Sequence, residues 1–155
     1  MSAGTSRVAP ETVVHLRRAR DVMDRRYADP LDLDVLAAEA GFSRYHFARS
    51  FKAAFGETPR GYLTRRRIER AKQLLAGANL TVTEVCSLVG FESLGSFSSR
   101  FTELVGHSPS AYQRLQAERD GPPPVPGCFV MAWARPQLPV RDGATGEKRG
   151  TSPSS

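Results

Sequence analysis

Apolar residues recur every three or four positions from Pro10 to about residue 119, and no stretch there alternates in the manner of a strand. That spacing belongs to helices that bury one face. Capping residues and glycines divide the region into seven. The first helix spans about Pro10 to Tyr27, with Val13, Leu16, Val22 and Met23 on its apolar side. The second covers about Leu33 to Ala40, opened by Asp32 or Asp34 and closed by Gly41. Ser43 can cap a third, which runs to about Phe55 and stops at Gly56. Thr58-Pro59 opens a fourth, the hydroxyl at the cap and the proline at the first helical position, and it extends to about Leu75. Thr81 or Thr83 begins a fifth, ended by Gly90. The sixth spans about Ser93 to Val105, ended by Gly106, and Ser108-Pro109 opens the seventh. The expected fold is all-α with about seven helices.

The second and third helices are echoed by the fifth and sixth. LAAEAGFSRYHFARSFKAAFGETPRGY starts at Leu36, and VCSLVGFESLGSFSSRFTELVGHSPSAY starts at Val85. Gly41 and Phe42 match Gly90 and Phe91 at an offset of 49. Phe47, Phe51, Gly56, Pro59 and Tyr62 match Phe97, Phe101, Gly106, Pro109 and Tyr112 at an offset of 50. The second copy thus carries one extra residue, between its glycine turn and the core of its second helix. Each copy is a short helix, a glycine turn and a second helix, which is the helix-turn-helix pattern. Phenylalanines at i and i+4 hold that second helix to the core and leave its opposite face free.

Charge says what that face suits. The net charge is +6, and residues 1–72 carry 15 Lys+Arg against 9 Asp+Glu, whereas residues 73–119 carry 3 against 4. A basic helix-turn-helix points to the major groove of double-stranded DNA. Hydrophobic content of 40% and charged content of 25% are ordinary for a globular chain. No run of about 18 apolar residues suggests a membrane span, and the N-terminus lacks the apolar block of a secretory signal. Cys86 and Cys128, the two cysteines, suggest a reducing cytoplasm, and without clustered histidines they fall short of a zinc site. Three regions are expected: a loose N-terminus over 1–9, a helical domain over 10–119, and a Pro-rich, largely disordered tail over 120–155 holding the apolar patch CFVMAWA.

On a helical wheel Phe47, Phe51 and Phe55 define the buried stripe of the third helix. Tyr45, His46, Arg49, Lys52 and Ala53 lie opposite, with Ala48 beside them. The planar fork of Arg49 fits guanine O6 and N7. Arg44 and Lys52 suit phosphates. Tyr45 suits a phosphate or a thymine methyl, or is a half-buried ring. His46 has no paired carboxylate or nucleophile for catalysis, so it packs or meets a phosphate. In the sixth helix Phe97, Phe101 and Val105 face inward, and Gly95, Ser96, Ser99 and Thr102 face outward. The run RRRIERAK at 65–72 cannot place Arg65, Arg66 and Arg67 on one face; one or two are free for DNA and the others stay in water or pair with acids such as Glu57 and Glu69.

The segments LAAEAGFS, FARSFKAAFGETPRGYL, RRRIERAKQLL, VCSLVGFES and FSSRFTELVGHSPSAY resemble the DNA-binding domain of the AraC-type (AraC/XylS) bacterial transcription regulators over residues 12–115. The resemblance implies two helix-turn-helix subdomains, about 10–58 and 76–119, joined by a linker helix at about 59–75. It implies recognition helices in successive major-groove segments, on the order of 34 Å apart. The family's base-reading positions match Tyr45, Ala48 and Arg49. At Ser99 the family often has an arginine; here the arginine stands one residue on, at Arg100. Few residues precede the first helix, so the chain resembles the short, stand-alone members, monomeric on DNA and cytoplasmic, with RNA polymerase as a possible partner of an activator.

The expected DNA contacts are Ser43, Arg44, Tyr45, His46, Ala48, Arg49 and Lys52 from the first recognition helix, and Ser93, Gly95, Ser96, Ser99 and Arg100 from the second. Arg60, Arg65 and Arg66 are candidate phosphate contacts. No catalytic residue, metal or cofactor is expected. Two alternatives stand beside this reading: an adaptor that meets another protein through the apolar tail, and a repair-linked protein with a reactive cysteine at Cys128.

Overall fold

The start and stop signals of the chain are realised as hydrogen bonds. The computed structural model describes residues 8–121, all in helices and their connections. The helices are α1 (Pro10–Arg25), α2 (Leu33–Glu39), α3 (Arg44–Phe55), α4 (Pro59–Gly77), α5 (Val82–Leu88), α6 (Leu94–Val105) and α7 (Pro109–Asp120). No strand element occurs among the described residues. CFVMAWA, Cys128 and the rest of the tail beyond Gly121 lie outside them, as do residues 1–7. Val8, expected in a loose leader, packs against the first core.

Two ambiguous caps resolve. Asp32, not Asp34, caps α2, accepting from the Asp34 amide at 2.8 Å. Thr81 caps α5 in a reciprocal box with Glu84: its hydroxyl accepts from the Glu84 amide, and the Glu84 carboxylate accepts from the Thr81 amide. α1 ends at Arg25, two residues before the expected Tyr27, and α4 runs on to Gly77 rather than stopping at Leu75.

The repeat is physical as well as textual. Ser43 and Ser93 cap α3 and α6, each accepting from the amide three residues on. Both helices have 12 residues and end on a left-handed glycine, Gly56 at φ 81° and Gly106 at φ 86°. Phe47–Phe51 ring centroids are 5.8 Å apart and Phe97–Phe101 5.7 Å. Tyr62 and Tyr112 each meet the second phenylalanine edge-on, at 5.7 and 5.5 Å. Because the caps correspond, the extra residue of the second copy sits in the turn: Gly41-Phe42-Ser43 becomes Gly90-Phe91-Glu92-Ser93.

Two hydrophobic cores result. Leu16, Met23, Leu36, Phe47, Phe51 and Leu63 belong to the first. Ile68, Leu75, Val85, Val89, Phe97 and Phe101 belong to the second. α4 serves both, with Leu63 in one and Ile68, Leu74 and Leu75 in the other. All the substantial helix packing between the two halves runs through α4.

Candidate nucleic-acid interface

The outward face of α3 is open, as its buried stripe requires. Phe47 and Phe51 are buried, and Phe55 is half-buried with the Arg20 guanidinium 4.6 Å above its ring. Tyr45 is 83% exposed, which removes the half-buried reading of that ring. His46 is exposed at its edge but lies 5.0 Å from the Phe42 ring, so it is partly a packing residue. Arg49 and Lys52 are exposed and form no ion pair among the described residues. Arg44 is exposed and lies 3.3 Å from Asp34 of α2, a contact between solvated groups that a stronger anion can displace. Ala48 is half-buried beside them.

α6 presents a different surface. Gly95, Ser96 and Ser99 are exposed. Thr102 spends its hydroxyl on the Ser98 carbonyl at 2.8 Å, and Ser93 spends its own on the cap. Arg100 is paired with Glu103 at 2.8 Å, so the one arginine of this helix is already partly neutralised. Leu94, 44% exposed on the first turn, is an apolar group that the sequence did not single out. It stands at the register of Arg44, and only the aligned caps make that visible. A Cβ at Gly95 would meet nothing within 4 Å, and its φ is not in the left-handed region. Gly95→Ala should therefore stabilise the free protein by ~0.4–1 kcal/mol, since alanine restricts the unfolded chain and favours the helix. If the backbone there approaches DNA closely, the same change weakens binding. Thermal melting and a titration with DNA read the two effects separately.

Two of the three candidate arginines of α4 have partners within the protein. Arg65 donates through Nε and Nη2 to Glu57 and through Nη1 to Glu69, at 2.6 Å for the last. The hydrogen bonds to Glu57, above all, hold its charge more firmly than usual. Arg66 lies 3.5 Å from Asp24, with its guanidinium over the Tyr27 ring. Both were candidate phosphate contacts, and both are engaged within the protein. Of the three, Arg60 is exposed and unpaired among the described residues.

Tyr62 on α4 ties the first unit together by donating its hydroxyl to Asp24 Oδ1 at 2.6 Å. Burial, and then the Asp24 carboxylate, push its pKa from 10.0 up to about 12. The folded pKa is raised, so this stabilisation is whole below pH 10 and drains away as pH rises from 10 towards 12. Replacing Tyr62 with Phe should flatten that part of the stability–pH curve, measured by denaturant melts across the window. An unchanged slope would mean that the hydroxyl does not sense the fold.

Cys86 is buried in the second core, and burial pushes its thiol pKa up, the reverse of what a nucleophile needs. No group of His, Cys, Asp and Glu among the described residues could hold a metal ion. No helix among them is long and apolar enough to cross a membrane.

Comparisons with known proteins agree with this geometry. A helix-turn-helix domain model matches residues 36–115, just over half of the chain. The MmsAB operon regulatory protein of Pseudomonas aeruginosa is 36% identical over 91 residues, which are 59% of this chain and 30% of that protein. The HTH-type transcriptional activator AarP of Providencia stuartii is 36% identical over 83 residues, 54% of this chain and 62% of AarP. The chain thus spans less than two thirds of either relative. The solved DNA-binding domain of AdpA, a global transcriptional factor, in complex with a target DNA, superposes with a TM-score of 0.65 at 30% identity, over 68% of this chain and 95% of that one. A transcriptional regulator with an AraC-type DNA-binding domain from Chromobacterium violaceum does so at 0.61 and 28% identity, over 69% and 96%. The paired glycine turns, the duplicated phenylalanine stripes and these matches lead to one conclusion: the chain belongs to the AraC-type family of helix-turn-helix transcription regulators.

Proposed function

We propose that this chain regulates transcription by binding a specific duplex DNA site, with α3 and α6 in successive major-groove segments. The observation that carries this is the pair of capped 12-residue helices, each with buried phenylalanines behind and an open polar face in front. α3 supplies the base contacts: Arg49 to guanine, with Tyr45 and Ala48 beside it against apolar base edges. Arg44, Lys52 and Arg60 hold phosphates and set register. His46 supports the helix against Phe42 and reaches a phosphate with its free edge, while Ser43 serves as the cap. α6 reads weakly or by shape, through Gly95, Ser96, Ser99 and the exposed Leu94, with Ser93 as its cap and Arg100 on the flank. Most of the affinity then belongs to the first unit. Binding as a monomer, a cytoplasmic setting, a contact with RNA polymerase and the absence of any catalytic step are parts of the same proposal.

Selection of bound sites from a random duplex pool, followed by salt titration, tests it. The proposal expects one asymmetric motif and an affinity that falls steeply with salt, by about 0.9 log units per log unit of salt for each neutralised phosphate. A pool that never enriches a motif would sink sequence-specific binding.

A further inference from the structure

Gly41 and Gly90 occupy the same place in the two repeats, yet their surroundings differ. Both are left-handed, at φ 78° and 88°. A Cβ on Gly41 would meet nothing within 4 Å, whereas a Cβ on Gly90 would lie 2.6 Å from the Ala28 carbonyl oxygen and 2.9 Å from the Ala28 Cα. The turn of the second unit therefore rests directly on the backbone of the α1–α2 loop in the first.

Arg67 on α4 stands at the same junction. Its Nε–H donates to the Tyr27 carbonyl at 2.6 Å and its Nη2–H to the Asp29 carbonyl at 2.9 Å. Its guanidinium lies 5.9 Å from the centroid of the Phe91 ring, the residue after Gly90. It forms no ion pair among the described residues. Burial lowers its pKa, and the nearby charge of Glu92, the residue inserted in this repeat, opposes that shift. A half-buried cation that spends its fork on two main-chain carbonyls is placed to fix a loop rather than to meet solvent.

We propose that Arg67 and Gly90, closing on the Tyr27–Asp29 loop, form a strut that fixes the spacing and phase of α3 relative to α6, and so restricts this chain to one separation of its two half-sites. Apart from the strut, the substantial helix packing between the halves runs through α4. Arg67 belongs to neither core, so truncating it removes no buried apolar side chain from either half. Arg67 is thus a positioning residue, and its effect on DNA rests on the two-helix reading proposed above.

The test has two arms, both on the full chain. In the first, binding is measured to the selected site and to versions with one base pair inserted or removed between its halves. Tethering two modules raises avidity by ~10²–10⁴-fold only when both can engage, so the native chain should lose on the order of 10²-fold on insertion and Arg67→Ala only a few-fold. Arg67→Lys keeps a cation but cannot span both carbonyls, and should remain permissive; full restoration by lysine would make charge, not the strut, the cause. Gly90→Ala should alter spacing preference, whereas Gly41→Ala carries the same backbone strain without the clash and should not. In the second arm, spin labels at Ala53→Cys and Glu103→Cys, in a Cys128→Ser background, report the α3–α6 distance without DNA. A narrow distribution that broadens in Arg67→Ala supports the strut. An equally narrow distribution in both overturns it. Broadening in a protein whose native form is indifferent to half-site spacing would overturn the two-helix reading and the strut's role on DNA, while leaving the coupling itself measured.

Discussion

Truncating Phe51 to alanine will destabilise the protein by about 3–5 kcal/mol, the cost of a large ring removed from a packed core. Phe51 is fully buried. Its ring lies 5.8 Å from Phe47, 4.7 Å from Phe55 and 5.7 Å from Tyr62, centroid to centroid. These neighbours come from α3 itself and from α4, and two of the three are held in place. Phe47 is fixed by its own place in the core, and Tyr62 by its bond to Asp24. The void therefore persists, and its lining loses contacts outright. A domain of this size holds only about 5–15 kcal/mol in all, so the loss is a large share of it. The consequence for function is specific: α3 loses the anchor that turns its other face outward, and DNA affinity falls with stability. Denaturant melts of the native and variant proteins give the number. A loss below about 1 kcal/mol would mean that the site collapses around the smaller residue, contrary to the packing described here.

Arg49→Ala is expected to cost about 1–3 kcal/mol of binding free energy and to relax preference at one base pair, with no change in stability. The side chain is exposed, bonds to nothing among the described residues, and lies opposite the Phe47–Phe51 stripe. Truncation therefore removes no hydrogen bond or ion pair among the described residues. A lysine at this position keeps the charge but loses the planar fork, so Arg49→Lys should recover general affinity and not discrimination. Affinities for the preferred site and its single-base variants decide the matter. If Arg49→Ala weakens every sequence equally, Arg49 is a phosphate contact and base reading passes to Tyr45 and its neighbours. The corresponding Ser99→Ala should change binding far less, because a hydroxyl on a helix without an unpaired cation has little to lose.

The parts legible in the sequence were those governed by short range. Caps at Ser43, Thr58 and Ser108, stops at Gly56 and Gly106, and the phenylalanine stripes all follow from spacing within one helix or one turn. The wheel also gave the outward faces of α3 and α6 correctly as surfaces. What it could not give was which arginine takes which partner. Glu57 and Glu69 were expected acids for the 65–67 run and Arg65 takes both, whereas Arg67 finds carbonyls some forty residues back in the chain. Such contacts depend on the path of the fold, which helical periodicity does not encode. The difference between Gly41 and Gly90 is of the same kind: the two share a conformation, and only the second has another segment pressed against it. Leu94 stayed hidden because the insertion of Glu92 shifts the register by which it would be compared with Arg44.

Two helices on one unit are proposed to engage one face of a duplex. Methylation interference on the selected site reports major-groove contacts guanine by guanine. Two patches of interference are expected on the same face, about one helical turn apart, on the order of 34 Å, with the stronger patch under α3 and weakened there by Arg49→Ala. A single patch, or two on opposite faces of the duplex, would contradict that proposal.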